Sequence, residues 1–182
     1  DGPVADQLDH AEALVSLVEP VGDGAVVDLG SGGGIPGLAW LLTDLPNTIV
    51  LLDRQARRTA FLRSVVAELG VSDRVSVLTM AAEDASRIPE LRGVCAGVVA
   101  RSFGPPPVTF ECAGALVCVG AQLAIAEPPG ESRWSESDIH PYGFTMAETT
   151  HSSIHAVVLR RVGEWPDHLP RPERLTRKRP LW

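Results

Sequence analysis

Short apolar runs rich in β-branched residues recur at 25–29, 48–53, 75–79 and 98–100, separated by turn-forming or helix-patterned stretches. Mostly apolar, they predict buried parallel strands. Between them the pattern predicts a helix over 37–45, stopped by Pro46-Asn47, and another over 56–69, closed by Gly70 as a C-terminal cap. In the second, Phe61, Leu62, Val65, Val66 and Leu69 form one apolar stripe, with Arg57, Arg58, Arg63 and Glu68 off it, as in a helix packed on a sheet. A β-α-β-α-β order of this spacing predicts a doubly wound α/β domain with helices on both faces.

Beyond Pro105-Pro106-Pro107 the small residues predict a helix to about residue 117, then a strand over 122–126. The Pro/Gly/Ser-rich stretch 127–143 reads as a loop long enough to be functional. Strands over 144–149 and 154–161, joined by a polar turn around His151 and Ser152, predict a terminal antiparallel hairpin. Residues 1–163 then form one domain, and 164–182, rich in Pro and Arg without periodicity, an extended basic tail.

Composition narrows the class. A chain of 182 residues suits one domain, and 45% hydrophobic with 21% charged residues is ordinary globular usage. The apolar runs are too short to cross a bilayer, which takes ~20 apolar residues. The chain starts at Asp1 without Met or an apolar h-region, so it shows no signal peptide, and residues upstream are expected to be missing. Cys95, Cys112 and Cys118 lie in apolar surroundings without C-x-x-C spacing, the usage of a reducing, cytoplasmic compartment. The net charge of −7 argues against a uniformly basic nucleic-acid clamp, although the C-terminus is basic. No feature sets the oligomeric state, and a monomer is the default expectation.

The candidate chemistry centres on Val26-Val27-Asp28-Leu29-Gly30-Ser31-Gly32-Gly33-Gly34-Ile35-Pro36-Gly37. A glycine-rich turn between strand and helix lets a ligand approach backbone N–H groups at the positive end of the helix dipole. Pro36 suits the first helical turn, where its missing N–H costs nothing. Gly32-x-Gly34-x-x-Gly37 also satisfies the dinucleotide pattern, so NAD is a competing ligand. Asp28, before the turn, would repel a pyrophosphate but help hold an ammonium, which S-adenosylmethionine carries. Asp53, after the second strand, suits ribose hydroxyls in either cofactor. Glu83, after the third, suits an adenine amino group. Each acid has a plainer role open to it: Asp28 bonded to loop amides, Asp84 capping the next turn. With the hairpin, the set favours the methyl donor and a Rossmann-like class I methyltransferase fold, a mostly parallel seven-stranded sheet ending in an antiparallel hairpin.

The stretch Asp28 to Gly37 resembles the D-x-G-[ST]-G-x-G-x-P-G turn of the bacterial small-subunit ribosomal RNA guanine-N7 methyltransferases of the GidB or RsmG type. Leu52-Asp53, Arg57-Arg58 and Phe61-Leu62 are similar to that family's second strand, basic pair and Phe-Leu. Glu83 matches its acid after strand three, Ala100-Arg101-Ser102-Phe103 its S-R-A-F segment, and Arg177-Lys178-Arg179-Pro180-Leu181 its basic terminus. The similarity spans about residues 6–103. It departs at Ala96, where the family has an acid, and at Glu127, where it has a Lys. The family's helical N-terminal extension is absent or not covered. The candidate cofactor-binding residues are accordingly Asp28, Gly30, Ser31, Gly32, Gly34, Pro36, Asp53, Arg54, Ala82, Glu83 and Arg101, and the resemblance implies ribosomal RNA or the small subunit as partner.

Guanine N7 has a free lone pair and loses no proton on methylation, so a site for it needs positioning rather than a general base. The D-P-P-Y motif used on exocyclic amines is missing, and Arg101-Ser102-Phe103-Gly104 stands in its place. Arg101 is the candidate catalytic residue, suited to a guanine edge or a phosphate, or alternatively to an ion pair. Phe103 suits base stacking or a core contact. Arg171, Arg174, Arg177, Lys178 and Arg179 would track RNA phosphates or simply be solvated. His151 and His155 lack the helix and Glu of a zinc protease, so no metal is expected. A small-molecule methyltransferase and an inactive S-adenosylmethionine-binding homologue remain as alternatives.

Overall fold

The computed structural model describes residues 4–147 and 154–182. In chain order the elements are α1 (Val4–Val15), β1 (Val26–Leu29), a 3₁₀ helix (Gly37–Leu42), β2 (Ile49–Asp53), α2 (Ala56–Glu68), β3 (Val75–Thr79), α3 (Ala82–Ala85), β4 (Cys95–Ala100), α4 (Pro106–Gly114) and β5 (Val117–Ala126). Then follow α5 (Glu136–Ile139), a second 3₁₀ turn (His140–Tyr142), β6 (Phe144–Met146), β7 (Ala156–Arg161) and α6 (Glu173–Lys178).

The strands form one seven-stranded sheet in the order β3-β2-β1-β4-β5-β7-β6. The first five run parallel, and β7 pairs antiparallel with both β5 and β6. Every residue of β1, β2 and β4 is buried, Asp28 and Asp53 included, whereas in β3, the edge strand, only Val75 is buried, so the expected burial fails there for want of a neighbouring strand. Side chains of β1, β2 and β4 alternate between two cores: Val27, Leu29, Leu52 and Val98 on one face, Val26, Ile49, Leu51 and Val99 on the other. Strand order reverses between β1 and β4, so the loops leaving their carboxyl ends diverge and open a crevice.

Several elements depart from expectation. Helix α1 was not predicted, though Ala11, Leu14, Val15 and Val18 recur at i, i+3, i+4 and i+7 and are all buried on the second face. The segment predicted as a helix over 37–45 is a 3₁₀ helix ending at Leu42. Stretch 127–143 carries α5 and a 3₁₀ turn, with Ser135 as N-cap accepting from the Ser137 N–H. The hairpin forms, with β6 ending at Met146, while His151 and Ser152 lie outside the described residues.

The largest correction concerns 164–182, which is docked rather than extended into solvent. Trp165 fills the space over Gly114, where a Cβ would stand 2.4 Å from its ring, and meets Phe110 edge-on at 5.3 Å. Arg92 Nη1 and Arg87 Nη2 donate to the carbonyls of Leu169 and Pro170 at 2.8 and 2.7 Å. Arg171 grips Glu111, which is fully buried in α4, with its backbone N–H at 2.7 Å, Nε at 2.9 Å and Nη2 at 2.6 Å. Sequence patterning misses such docking because a buried Glu answered by an Arg sixty residues later has no local period.

Removing the partner of the fully buried Glu111 carboxylate leaves that charge uncompensated, so Arg171→Ala should cost about 3 kcal/mol in urea unfolding. Adding Glu111→Gln should recover part of the loss, since the remaining group is then neutral.

Candidate active site

The glycine turn is tied down from three sides. Gly30 and Ser31 donate their N–H groups to the Leu52 carbonyl at 2.8 and 2.9 Å, and Ser31 Oγ donates to the Asp28 carbonyl at 3.0 Å. Gly32 N–H donates to Asp53 Oδ2 at 3.0 Å, while Asp53 Oδ1 accepts from Gln55 N–H at 2.8 Å. Gly37 N–H, at the start of the 3₁₀ helix, donates to Asp28 Oδ2 at 3.0 Å. A side chain at Gly37 would collide with Asp28 and Leu51, its Cβ 2.6 Å from each. Gly30, at φ +78°, has Phe103 Cδ2 2.7 Å from where a Cβ would be; glycine is needed there both for backbone conformation and for the ring's approach.

Asp28 is fully buried, and its Oδ1 has no partner. Burial pushes its carboxyl up to about 7, against the opposing effect of the Gly37 N–H. The plainer of the two roles open to it is the one observed: the acid braces the loop from beneath and faces neither cavity described next.

Two cavities open over the carboxyl ends of the strands. The first, about 200 Å³, is lined among others by Gly30, Asp53, Arg54, Met80, Ala82 and Arg177. The second, about 460 Å³, is lined by residues including Gln7, His10, Arg101, Ile125, Glu127 and Arg133. Ser102 and Phe103 line both, so the Phe103 ring stands where they meet. Ser102 takes a left-handed φ of 55° at this junction, a strained conformation of the kind found at functional sites.

In the second cavity Arg101 Nη1 donates to Gln7 Oε1 at 3.0 Å. His10 Nδ1 is buried without a partner, and burial together with the Arg101 charge lowers the imidazole's pKa, favouring the neutral ring. Glu127, the charge reversal noted in the sequence, is held by Arg133 through Nε and Nη2 at 2.7 and 2.9 Å. The local charge is thereby balanced within the loop. Ala96 is fully buried in the second-face core and lines neither cavity.

Of the predicted cofactor residues, Gly30, Asp53, Arg54 and Ala82 converge on the first cavity. Ser31, Gly34 and Pro36 shape the turn behind it, and Gly32 borders an adjoining groove with Arg57, Arg58 and Phe61. Arg101 belongs to the second cavity instead. Glu83 is buried with Oε1 unpartnered, burial raises its carboxyl above the ordinary value, and it does not line the first cavity. Asp84 does not cap α3 but lies within it and pairs with Arg87 at 3.3 Å. Gln7, His10, Arg133 and Arg177 were not singled out as pocket residues in the sequence: two lie on the unpredicted α1, and the others reach the cavities only through tertiary contacts. Among the described residues no group of three or more His, Cys, Asp or Glu could hold a metal ion, and no helix is long and apolar enough to cross a membrane.

The pocket fits the methyl donor. Gly32 and Gly33 leave open backbone beside the cavities, Asp53 Oδ2 is engaged by Gly32 N–H and Arg58 while Oδ1, bonded to Gln55 N–H, keeps a lone pair for a hydroxyl donor, and two compartments meet at one ring.

The GidB family, described as rRNA small subunit methyltransferase G, matches residues 7–162. Ribosomal RNA small subunit methyltransferase G of Parasynechococcus marenigrum strain WH8102 is 29% identical over 85% of this chain and 66% of its own length. The protein of the same name from Frankia alni is 45% identical over 63% of this chain and 40% of its own. The chain thus spans about two thirds or less of these two relatives. A SAM-dependent methyltransferase from Aquifex aeolicus has a similar fold, with a TM-score of 0.60 at 16% identity, covering 87% of this chain and 92% of that one.

The raised Asp28 carboxyl sets a pH dependence. Between its ordinary 3.8 and about 7 the folded form keeps a proton that the unfolded chain releases, so this group's contribution to stability falls as pH rises through that window and levels off above it. In Asp28→Asn the stability-against-pH curve should fall less between pH 4 and 7 than in the parent, as read by urea midpoints. Parallel curves would show that Asp28 titrates normally.

Proposed function

The chain belongs to the GidB family of small-subunit ribosomal RNA methyltransferases, and on that premise we propose that it transfers a methyl group from S-adenosylmethionine to guanine N7 in small-subunit ribosomal RNA. The observation that carries this reading is the pair of cavities sharing Phe103 at the β1/β4 switch point, one on the glycine turn and Asp53, the other on Arg101. The bound donor supplies an electrophilic methyl on a sulfonium. The protein's own work is alignment and exclusion of water.

In the first cavity, Asp53 accepts from the ribose hydroxyls beside the N–H groups of the Gly30–Gly34 turn, with Arg54 and Ala82 completing the wall. In the second, Arg101, held by Gln7, donates to the purine O6 edge and leaves N7 free to attack. N7 releases no proton, so the reaction calls for no carboxylate base, and Glu127 in the second cavity is engaged by Arg133. Arg57, Arg174, Lys178 and Arg179 contact RNA phosphates from the rim, a salt-sensitive contribution. A reaction on ribosomal RNA places the protein in the cytoplasm.

Asp53→Ala should weaken S-adenosylmethionine binding by about tenfold or more, ~1.4 kcal/mol, in calorimetric titration. Arg101→Ala should leave that affinity intact and lower labelled-methyl transfer onto small subunits or deproteinised ribosomal RNA by about tenfold or more, the loss of a charge-assisted hydrogen bond. Labelling of small metabolites in place of RNA, or thermal stabilisation by NAD alone, would overturn the proposal.

A further inference from the structure

The docked C-terminal segment ends over the first cavity. Arg177, on α6, lines it together with Asp53 and Arg54 at the end of β2 and Met80 and Ala82 beyond β3. Its Nε donates to Glu173 Oε1 at 3.2 Å, and the same oxygen accepts from Arg54 Nη1. Pairs this exposed add little stability, but they set the direction of the guanidinium. The Glu173 contact is made through an in-plane N–H and leaves both faces of the plane clear of it. The helix beneath is anchored by the fully buried Thr176, whose Oγ1 donates to the Arg171 carbonyl at 3.1 Å, and by the Arg171–Glu111 grip.

We propose that Arg177 is a cofactor-binding residue whose guanidinium stacks on the adenine ring, making the C-terminal segment a wall of the cofactor pocket. The inference rests on the S-adenosylmethionine reading of the first cavity. A donor that delivers its methyl to the second cavity must place its sulfonium by Gly30 and Phe103, where the cavities join. With the ribose on Asp53, the adenine then falls towards β3, against Met80, Ala82 and Arg177. The donor's carboxylate lies at the sulfonium end, so Arg177 meets no charged part of the ligand. It faces a flat, uncharged ring, and a planar, weakly hydrated guanidinium is the cation best suited to cover one.

Equilibrium titration of the full chain with S-adenosylhomocysteine and with methylthioadenosine, which lacks the amino-acid portion, tests this. Arg177→Ala should weaken both ligands by a similar factor of about ten, ~1.4 kcal/mol, with an unchanged unfolding midpoint. Arg177→Lys should stay weak, since an ammonium keeps the charge but not the plane. Loss confined to S-adenosylhomocysteine would mean that Arg177 pairs with the carboxylate, and unchanged affinity for both would return it to the surface; either overturns the assignment. Wild-type protein that binds neither ligand overturns the cofactor reading itself, and the assignment with it.

Discussion

The hydrogen bond from Gly37 N–H to the buried carboxylate of Asp28 decides where the chain turns after β1, and the rest of the site is arranged around that turn. It joins the end of a fully buried strand to the first residue of the following 3₁₀ helix across nine positions. Asp53 applies the same device from the neighbouring strand, through Gly32. Two carboxylates on adjacent parallel strands thus hold the turn, one from below and sealed, the other at the cavity edge. The sealed one is raised in pKa by its burial. Stability is given up there, and a fixed loop geometry is obtained.

Phe103 depends on that geometry. Its ring fits only because residue 30 has no side chain, and by sitting there it divides the crevice into two compartments. The strained Ser102 beside it orients the segment between the Arg101 side and the glycine side. In methyl transfer by displacement, the distance and line between donor and acceptor dominate the barrier. A shared aromatic wall held by backbone fit is a rigid way to set both.

The C-terminal segment supplies a second layer. Its aromatic and Arg–Glu contacts with α4 turn a basic stretch into part of the sheet's first-face core. Helix α1 does the corresponding work on the other side, bringing Gln7 and His10 to the second cavity. Both ends of the described chain therefore close over the strand ends, and each adds polar groups to the cavities beyond Asp53, which β2 supplies.

The α/β order, the strand positions, the glycine turn and Asp53 were legible in the sequence by itself, because each rests on local rules: mostly apolar runs for buried parallel strands, glycine where φ is positive or backbones approach, an acid at a strand end. The family was legible from the same turn and the residues after β2 and β4. Tertiary structure alone decided that Asp28 braces the loop, that Glu83 lies off the lining of the first cavity, that Glu127 is neutralised by Arg133, that Arg171 belongs to the fold and that Arg177 reaches the first cavity. Burial and pairing settle these roles, and both depend on which distant segment packs against a residue. No period in the sequence carries that information.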